Sequence, residues 1–112
     1  MKYTHQRNLL TIDSKILKFD GEIKGVLELN EKYLIVRLLV DKNLKTSQNV
    51  FCVSDKGEIV WQAPFIRGHT PFGSAYTGMR LEKDGTLYLC NLIADMWVNP
   101  LTGEVLRKQL GR

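Results

Sequence analysis

Cysteine and histidine are scarce in this sequence, with two of each among 112 residues. Cys52 and Cys90 stand far apart, with no Cys-x-x-Cys and no second ligand close by, so neither a zinc cluster nor a disulfide framework is written here. Each lies in a strand-like run, Val50-Phe51-Cys52-Val53 and Leu87-Tyr88-Leu89-Cys90, and the expectation is a pair of reduced thiols serving as small hydrophobes. Long apolar runs are also missing. Tyr33–Val36 already ends at Arg37, whereas a bilayer-spanning helix needs ~20 apolar residues. Met1 to Arg7 leads into no apolar stretch and no small-residue cleavage site, so no secretory signal is expected and the expected location is cytoplasmic. Charge of one sign is nowhere concentrated. Residues 1–62 carry 10 basic and 8 acidic side chains, and residues 63–112 carry 6 and 4, for a net +4. A nucleic-acid binder shows a stripe of Lys and Arg. Only Arg107, Lys108 and Arg112 come near that, and a solvated tail accounts for them equally well. No Lys-Ser or Lys-Thr follows Gly73 or Gly78, so there is no phosphate loop.

What the sequence does have is turn chemistry between β-type runs. Its length suits one domain over residues 1–112, and 44% hydrophobic with 25% charged residues is ordinary for a globular chain. Val50–Val53 passes through Ser54-Asp55-Lys56-Gly57 into Glu58-Ile59-Val60-Trp61. Arg80-Leu81 passes through Glu82-Lys83-Asp84-Gly85 into Thr86–Cys90, with Asp-Gly the strongest short hairpin signal. Met96-Trp97-Val98 passes through Asn99-Pro100-Leu101-Thr102-Gly103 into Glu104-Val105-Leu106. Tyr33–Val40 is long, β-branched and aromatic, and reads as a central strand. Two readings stand for Asn8–Phe19. Leu9, Ile12, Ile16 and Phe19 have helical spacing, while Asp13-Ser14 marks a turn between short strands, and the hairpin is preferred. The chain also repeats itself: Gly57-Glu58-Ile59-Val60 aligns with Gly103-Glu104-Val105-Leu106, and Gly25 with Gly78. The expected fold is all-β and antiparallel, with about eight strands in two four-stranded meanders over roughly 23–62 and 76–109, and a possible N-terminal hairpin. A pair of such meanders cannot close into a ring, and open strand edges invite a partner or a second copy.

Asn49-Val50-Phe51-Cys52-Val53-Ser54, Gly57-Glu58-Ile59-Val60-Trp61-Gln62 and Asn99-Pro100-Leu101-Thr102-Gly103-Glu104-Val105-Leu106 resemble the ends of quinoprotein-type β-propeller blades. The resemblance runs from Gly25 to Gln109 and implies blade-like, half-propeller-like meanders. It carries no cofactor residue, because the cofactor rings of full propellers need the remaining blades. The arrangement also resembles short bacterial proteins, some of which look like immunity proteins of contact-dependent growth-inhibition systems. That resemblance implies a cytoplasmic protein that binds one cognate toxin and blocks its active site, with no chemistry of its own.

The long irregular segment Ala63–Ala75 holds Phe65, Ile66, Arg67, His69 and Phe72 between Pro64, Pro71 and Gly73. Aromatic and arginine side chains are the usual anchors of protein interfaces. The bland alternative is a crossover whose phenylalanines plug the core. Trp61 and Trp97 sit at strand positions, where core is the default. If Met96 and Val98 face inward, alternation turns Trp97 outward. The partner-binding candidates are Phe65, Arg67, His69, Phe72, Tyr76 and Trp97. His69 has no Cys/His cluster for a metal, and neither Ser74 nor Cys90 gains an orienting carboxylate or an oxyanion hole beside it, so no catalytic, metal or cofactor residue is expected. The first reading is a toxin-binding immunity protein. The alternatives, in order, are a self-assembling adaptor joined through open edges, a small-ligand or nucleic-acid module and, last, an enzyme. A net positive charge does not suit a toxin with a basic active site.

Overall fold

The computed structural model describes residues 1–42, 44–68 and 73–110. Among them are eleven strands in three antiparallel sheets, and the strands of each sheet lie side by side in chain order. The first sheet holds β1 (Tyr3–Gln6), β2 (Leu9–Ile12) and β3 (Lys15–Lys18). The second holds β4 (Ile23–Glu28), β5 (Tyr33–Leu38), β6 (Val50–Ser54) and β7 (Ile59–Gln62). The third holds β8 (Gly78–Leu81), β9 (Leu87–Cys90), β10 (Ala94–Val98) and β11 (Val105–Leu110). The antiparallel all-β reading holds, and the N-terminal segment contributes a three-stranded sheet where a hairpin was expected.

The first sheet shows why the helical spacing of Leu9, Ile12, Ile16 and Phe19 misleads. Two-residue turns at Arg7-Asn8 and Asp13-Ser14 place Arg7 and Asp13 at φ 55° and 53°, the left-handed region that tight hairpins require. Asp13 anchors its turn by accepting a hydrogen bond from the Lys2 amide at 3.0 Å and donating its own amide to the Lys2 carbonyl at 2.7 Å. Period two then decides burial: Leu10 and Ile12 are fully buried, and Ile16 points to solvent.

The middle sheet is covered on both faces. Leu34, Val36, Leu38 and Val53 pack with Leu10, Ile12 and Phe19 of the N-terminal segment. Ile35, Cys52 and Trp61 pack with Leu87, Leu89, Met96 and Val98 of the third sheet. This is why Tyr33–Val36 is an unbroken apolar run: successive residues of β5 serve two different cores, and neither face meets water. Leu34, Ile35 and Val36 are each 0% exposed, and full burial of such a side chain is worth about 1.5–3 kcal/mol. Cys52 lies in the second of these cores, and burial pushes its thiol up to about 11, so it stays protonated and unreactive at neutral pH.

Polar side chains fix how the second and third sheets join. Asn49, fully buried immediately before β6, donates through Nδ2 to the carbonyls of Leu38 and Tyr76, each at 2.9 Å, and accepts from the Tyr76 amide at 2.8 Å. One amide side chain thereby ties β5 to the segment entering β8. Asn91 acts similarly before β10. Its Oδ1 accepts from the amides of Ile93 and Ala94 at 2.9 and 2.8 Å, and its Nδ2 donates to the Ser74 carbonyl at 3.2 Å. Trp61 adds a third tie, its indole N–H donating to the Pro100 carbonyl at 2.8 Å. Gly103 lies under that ring at φ 76°, where a Cβ would come within 2.8 Å of Trp61, so both the backbone angle and the space exclude a side chain.

Replacing Asn49 by Ala strands the Leu38 carbonyl and both backbone groups of Tyr76 in a dry site. We expect a loss of about 3 kcal/mol, the upper end for an unsatisfied buried group, read as a lowered urea midpoint at unchanged m-value. A loss within 0.5 kcal/mol, the usual range for a plain surface site, would remove the clamp from this account. Iodoacetamide on the native protein is expected to modify half-exposed Cys90 and to spare Cys52 until the chain is unfolded, as mapped by peptide mass spectrometry. Equal labelling of both thiols under native conditions would contradict the covered middle sheet.

Candidate functional site

The third sheet is covered on one face only. Along β9 and β10, Leu87, Leu89, Ala94, Met96 and Val98 are buried, whereas Tyr88, Cys90, Asp95 and Trp97 stand half-buried on the opposite face. Register then aligns four residues in one row across the sheet: Arg80 opposite Tyr88, Tyr88 opposite Trp97, and Trp97 opposite Arg107. The Tyr88 and Trp97 rings are 5.3 Å apart and tilted by 46°. The Arg80 guanidinium lies 4.6 Å from the centre of the Tyr88 ring, and that of Arg107 lies 4.2 Å from the centre of the Trp97 ring. Both distances are in the cation–π range, so each cation holds an aromatic face in place. Arg80 is fixed further by a 2.8 Å ion pair with Glu82, which raises the guanidinium pKa. Tyr88 donates a short hydrogen bond to Asp95, and that bond, with burial, pushes its hydroxyl up to about 12. Beside the Trp97–Arg107 end is an open cleft of about 630 Å³ lined by Glu82, Lys83, Asp84, Thr86 and Leu106.

The same row exists in the middle sheet with different chemistry. There Leu27 pairs with Ile35, Ile35 with Cys52, and Cys52 with Trp61. The two rows match position for position, including the irregularity that follows, between Cys52 and Val53 in one sheet and between Trp97 and Val98 in the other. The first row is apolar because the third sheet packs on it. In the second row Leu, Ile, Cys and Trp become Arg, Tyr, Trp and Arg, and no described element covers it. An aromatic pair between two cations presents apolar area, two positive charges and hydrogen-bond donors on one rigid surface, which is the composition of a recognition hot spot.

Of the side chains singled out from the sequence, Trp97 stands in this row and turns outward as the alternation predicts. Phe65 is 52% exposed and Arg67 is exposed, both on the crossover between the second and third sheets. The crossover does plug the core, but with Ile66 at 6% exposure and not with Phe65. Tyr76 requires a correction as a contact residue. It is 1% exposed, its hydroxyl donates to the Pro64 carbonyl at 2.7 Å, and burial holds that hydroxyl well above the usual tyrosine range. It positions the crossover from within and does not share a surface with Trp97. His69 and Phe72 lie outside the described residues. Arg80, Tyr88 and Arg107 were not singled out, because only the register of three strand pairs brings them to Trp97. Arg107 and Lys108, which suggested a solvated tail, belong to β11.

Among the described residues no group of three or more His, Cys, Asp or Glu gathers to hold a metal, and no helix is long and apolar enough to cross a membrane. A family model described as "Domain of unknown function (DUF7957)" matches residues 1–110. The chain belongs to this family. No curated protein and no solved structure matches it.

The two rows make opposite predictions for their tryptophans. Trp61→Ala removes a ring that is 8% exposed and bonded to Pro100, and a loss of about 3–5 kcal/mol is expected. Trp97→Ala removes a ring with water on one side, and the expected loss is about 1 kcal/mol, the scale of its ring and cation contacts. Guanidinium unfolding of both variants checks this. Equal losses would mean that the outer row is as structural as the inner one.

Proposed function

We propose that this chain is a non-catalytic protein-recognition module whose contact surface is the outer face of the third sheet. The observation that carries the reading is the Arg80–Tyr88–Trp97–Arg107 row, held rigid by ring and cation contacts where the equivalent row of the middle sheet is covered. The immunity role implied by the family resemblance is the specific form of this reading: the module occupies the active site of a cognate toxin and blocks it sterically. Two arginines in the row and a net charge of +4 suit a partner surface that is acidic or neutral, and disfavour a toxin with a basic active site.

The half-propeller-like arrangement belongs to the same proposal. Supporting it are two four-stranded meanders with matching rows, a three-stranded meander before them, and a thinnest dimension of 17 Å. That dimension is the length of a strand of about five residues at ~3.3 Å each, as for blades standing side by side around a slab. A second reading, self-assembly, is favoured by one observation. Every residue of β11 is exposed at the edge of the third sheet, so its outward backbone groups offer a ladder to another chain.

The test is co-expression of this protein with the product of the gene immediately upstream, followed by affinity capture. A tight one-to-one complex that is lost in the Trp97→Ala, Arg107→Ala double variant supports recognition through this face. A complex that survives the double variant moves the surface elsewhere, to Phe65 and Arg67 first. If no partner is captured and the protein sediments alone as a stable dimer, self-assembly replaces recognition.

A further inference from the structure

We infer that β11 takes up an acidic, extended segment of the partner protein as an added strand, an inference that rests on the recognition reading and names the chemistry of what is recognised. All six residues of β11 are exposed, and among the described residues no strand pairs with its outer edge. Such an edge is a template for strand pairing unless something covers it or something repels the wrong visitor. Its side chains decide which visitor fits. Arg107 projects on the face that carries Trp97, opposite that ring, and Lys108 lies on the other face, opposite Met96. Val105, paired with Val98, and Leu110, paired with Ala94, share the Lys108 face and are 41% and 61% exposed. The strand itself, Val105-Leu106-Arg107-Lys108-Gln109-Leu110, contains no acidic residue.

The edge is open to a second copy as well, but its side chains suit an acidic segment better. Two-fold antiparallel pairing centred on the strand sets Arg107 opposite Arg107, or Lys108 opposite Lys108, of the other copy. Like charges directly opposed across a ladder destabilise it. The same two cations attract a segment with consecutive carboxylates, one on each face, flanked by β-branched residues that cover Val105 and Leu110. Backbone hydrogen bonds along the edge supply affinity, and the alternating side chains supply selectivity.

The probe is a capped synthetic peptide, Thr-Val-Thr-Glu-Glu-Thr-Val-Thr, titrated into the full-length protein at low salt. Intrinsic tryptophan fluorescence, to which both Trp61 and Trp97 contribute, and hydrogen exchange of the β11 amides are the readouts. Saturable binding is expected, with the β11 amides protected on complex formation and the affinity falling steeply with added salt. The Lys-Lys counterpart of the peptide is expected to leave both readouts unchanged. The Arg107→Glu, Lys108→Glu variant should exchange the two preferences, and its unaltered far-ultraviolet spectrum will show that it is folded. Absence of saturable binding by the Glu-Glu peptide, binding without protection of β11, or a reversed variant that still prefers the Glu-Glu peptide overturns the inference. Binding of a single-stranded oligonucleotide in place of the peptide overturns it in favour of base stacking on Trp97 and Tyr88. If the peptide fails while capture of the upstream gene product still depends on Trp97 and Arg107, strand addition alone is lost and the recognition reading stands. If both fail, both are lost.

Discussion

Asn49 is the interaction on which the arrangement of the sheets depends. Hydrophobic burial is non-directional and would allow the third sheet to slide over the second. A buried amide with one acceptor and two donors engaged at three fixed backbone points does not. Because it grips both the carbonyl and the amide of Tyr76, it sets where β8 begins, and β8 sets the register of β9 and β10. Asn91 repeats the device one sheet later, against Ser74. Inside a protein such bonds are strong because water does not compete, and they are costly to leave unmade for the same reason.

That constraint accounts for the two chemical faces of the third sheet. Once its inner side is committed to Ile35, Cys52 and Trp61, alternation sends Tyr88 and Trp97 the other way. Tryptophan and tyrosine left half in water usually need a polar contact. Here Asp95 takes the Tyr88 hydroxyl and Arg107 covers the Trp97 ring. The outer row is therefore neither a displaced core nor an ordinary solvated face. It is apolar area kept in contact with water by the cations that flank it.

Much of the fold was legible because turn chemistry is local. Asp84-Gly85, the Ser54 to Gly57 turn and the Asn99 to Gly103 turn each announce themselves within a few residues, and each joins two strands where expected. In the structure the side-chain oxygens of Asp84, Ser54 and Asn99 accept backbone amides within their own turns. Asn8–Phe19 was less legible because four apolar residues mimic a helical face, and the left-handed turns at Arg7 and Asp13, with the hydrogen bonds between Asp13 and Lys2, show which period wins. The outer row was legible in part. Trp97 follows from alternation within one strand, whereas Arg80 and Arg107 need the pairing of β8 with β9 and of β10 with β11. The irregularity after Trp97 shifts the register of β11 by one residue and so decides which of its side chains meets that ring. Tyr76 could not have been placed, since nothing near it in sequence reveals that its backbone is held by Asn49.

The matching rows have a consequence for layering. The middle and third sheets offer a neighbour the same lattice of positions, so geometry alone does not decide whether another sheet packs against them. Composition does. Leu27, Ile35, Cys52 and Trp61 take a layer, whereas Arg80, Tyr88, Trp97 and Arg107 resist a dry one, because an apolar sheet laid over them would strip water from two guanidinium groups. Exchanging those four for the apolar set of the middle sheet would turn a wet face into an uncovered interior. Permission to stack is thus written in four side chains on a shared backbone lattice.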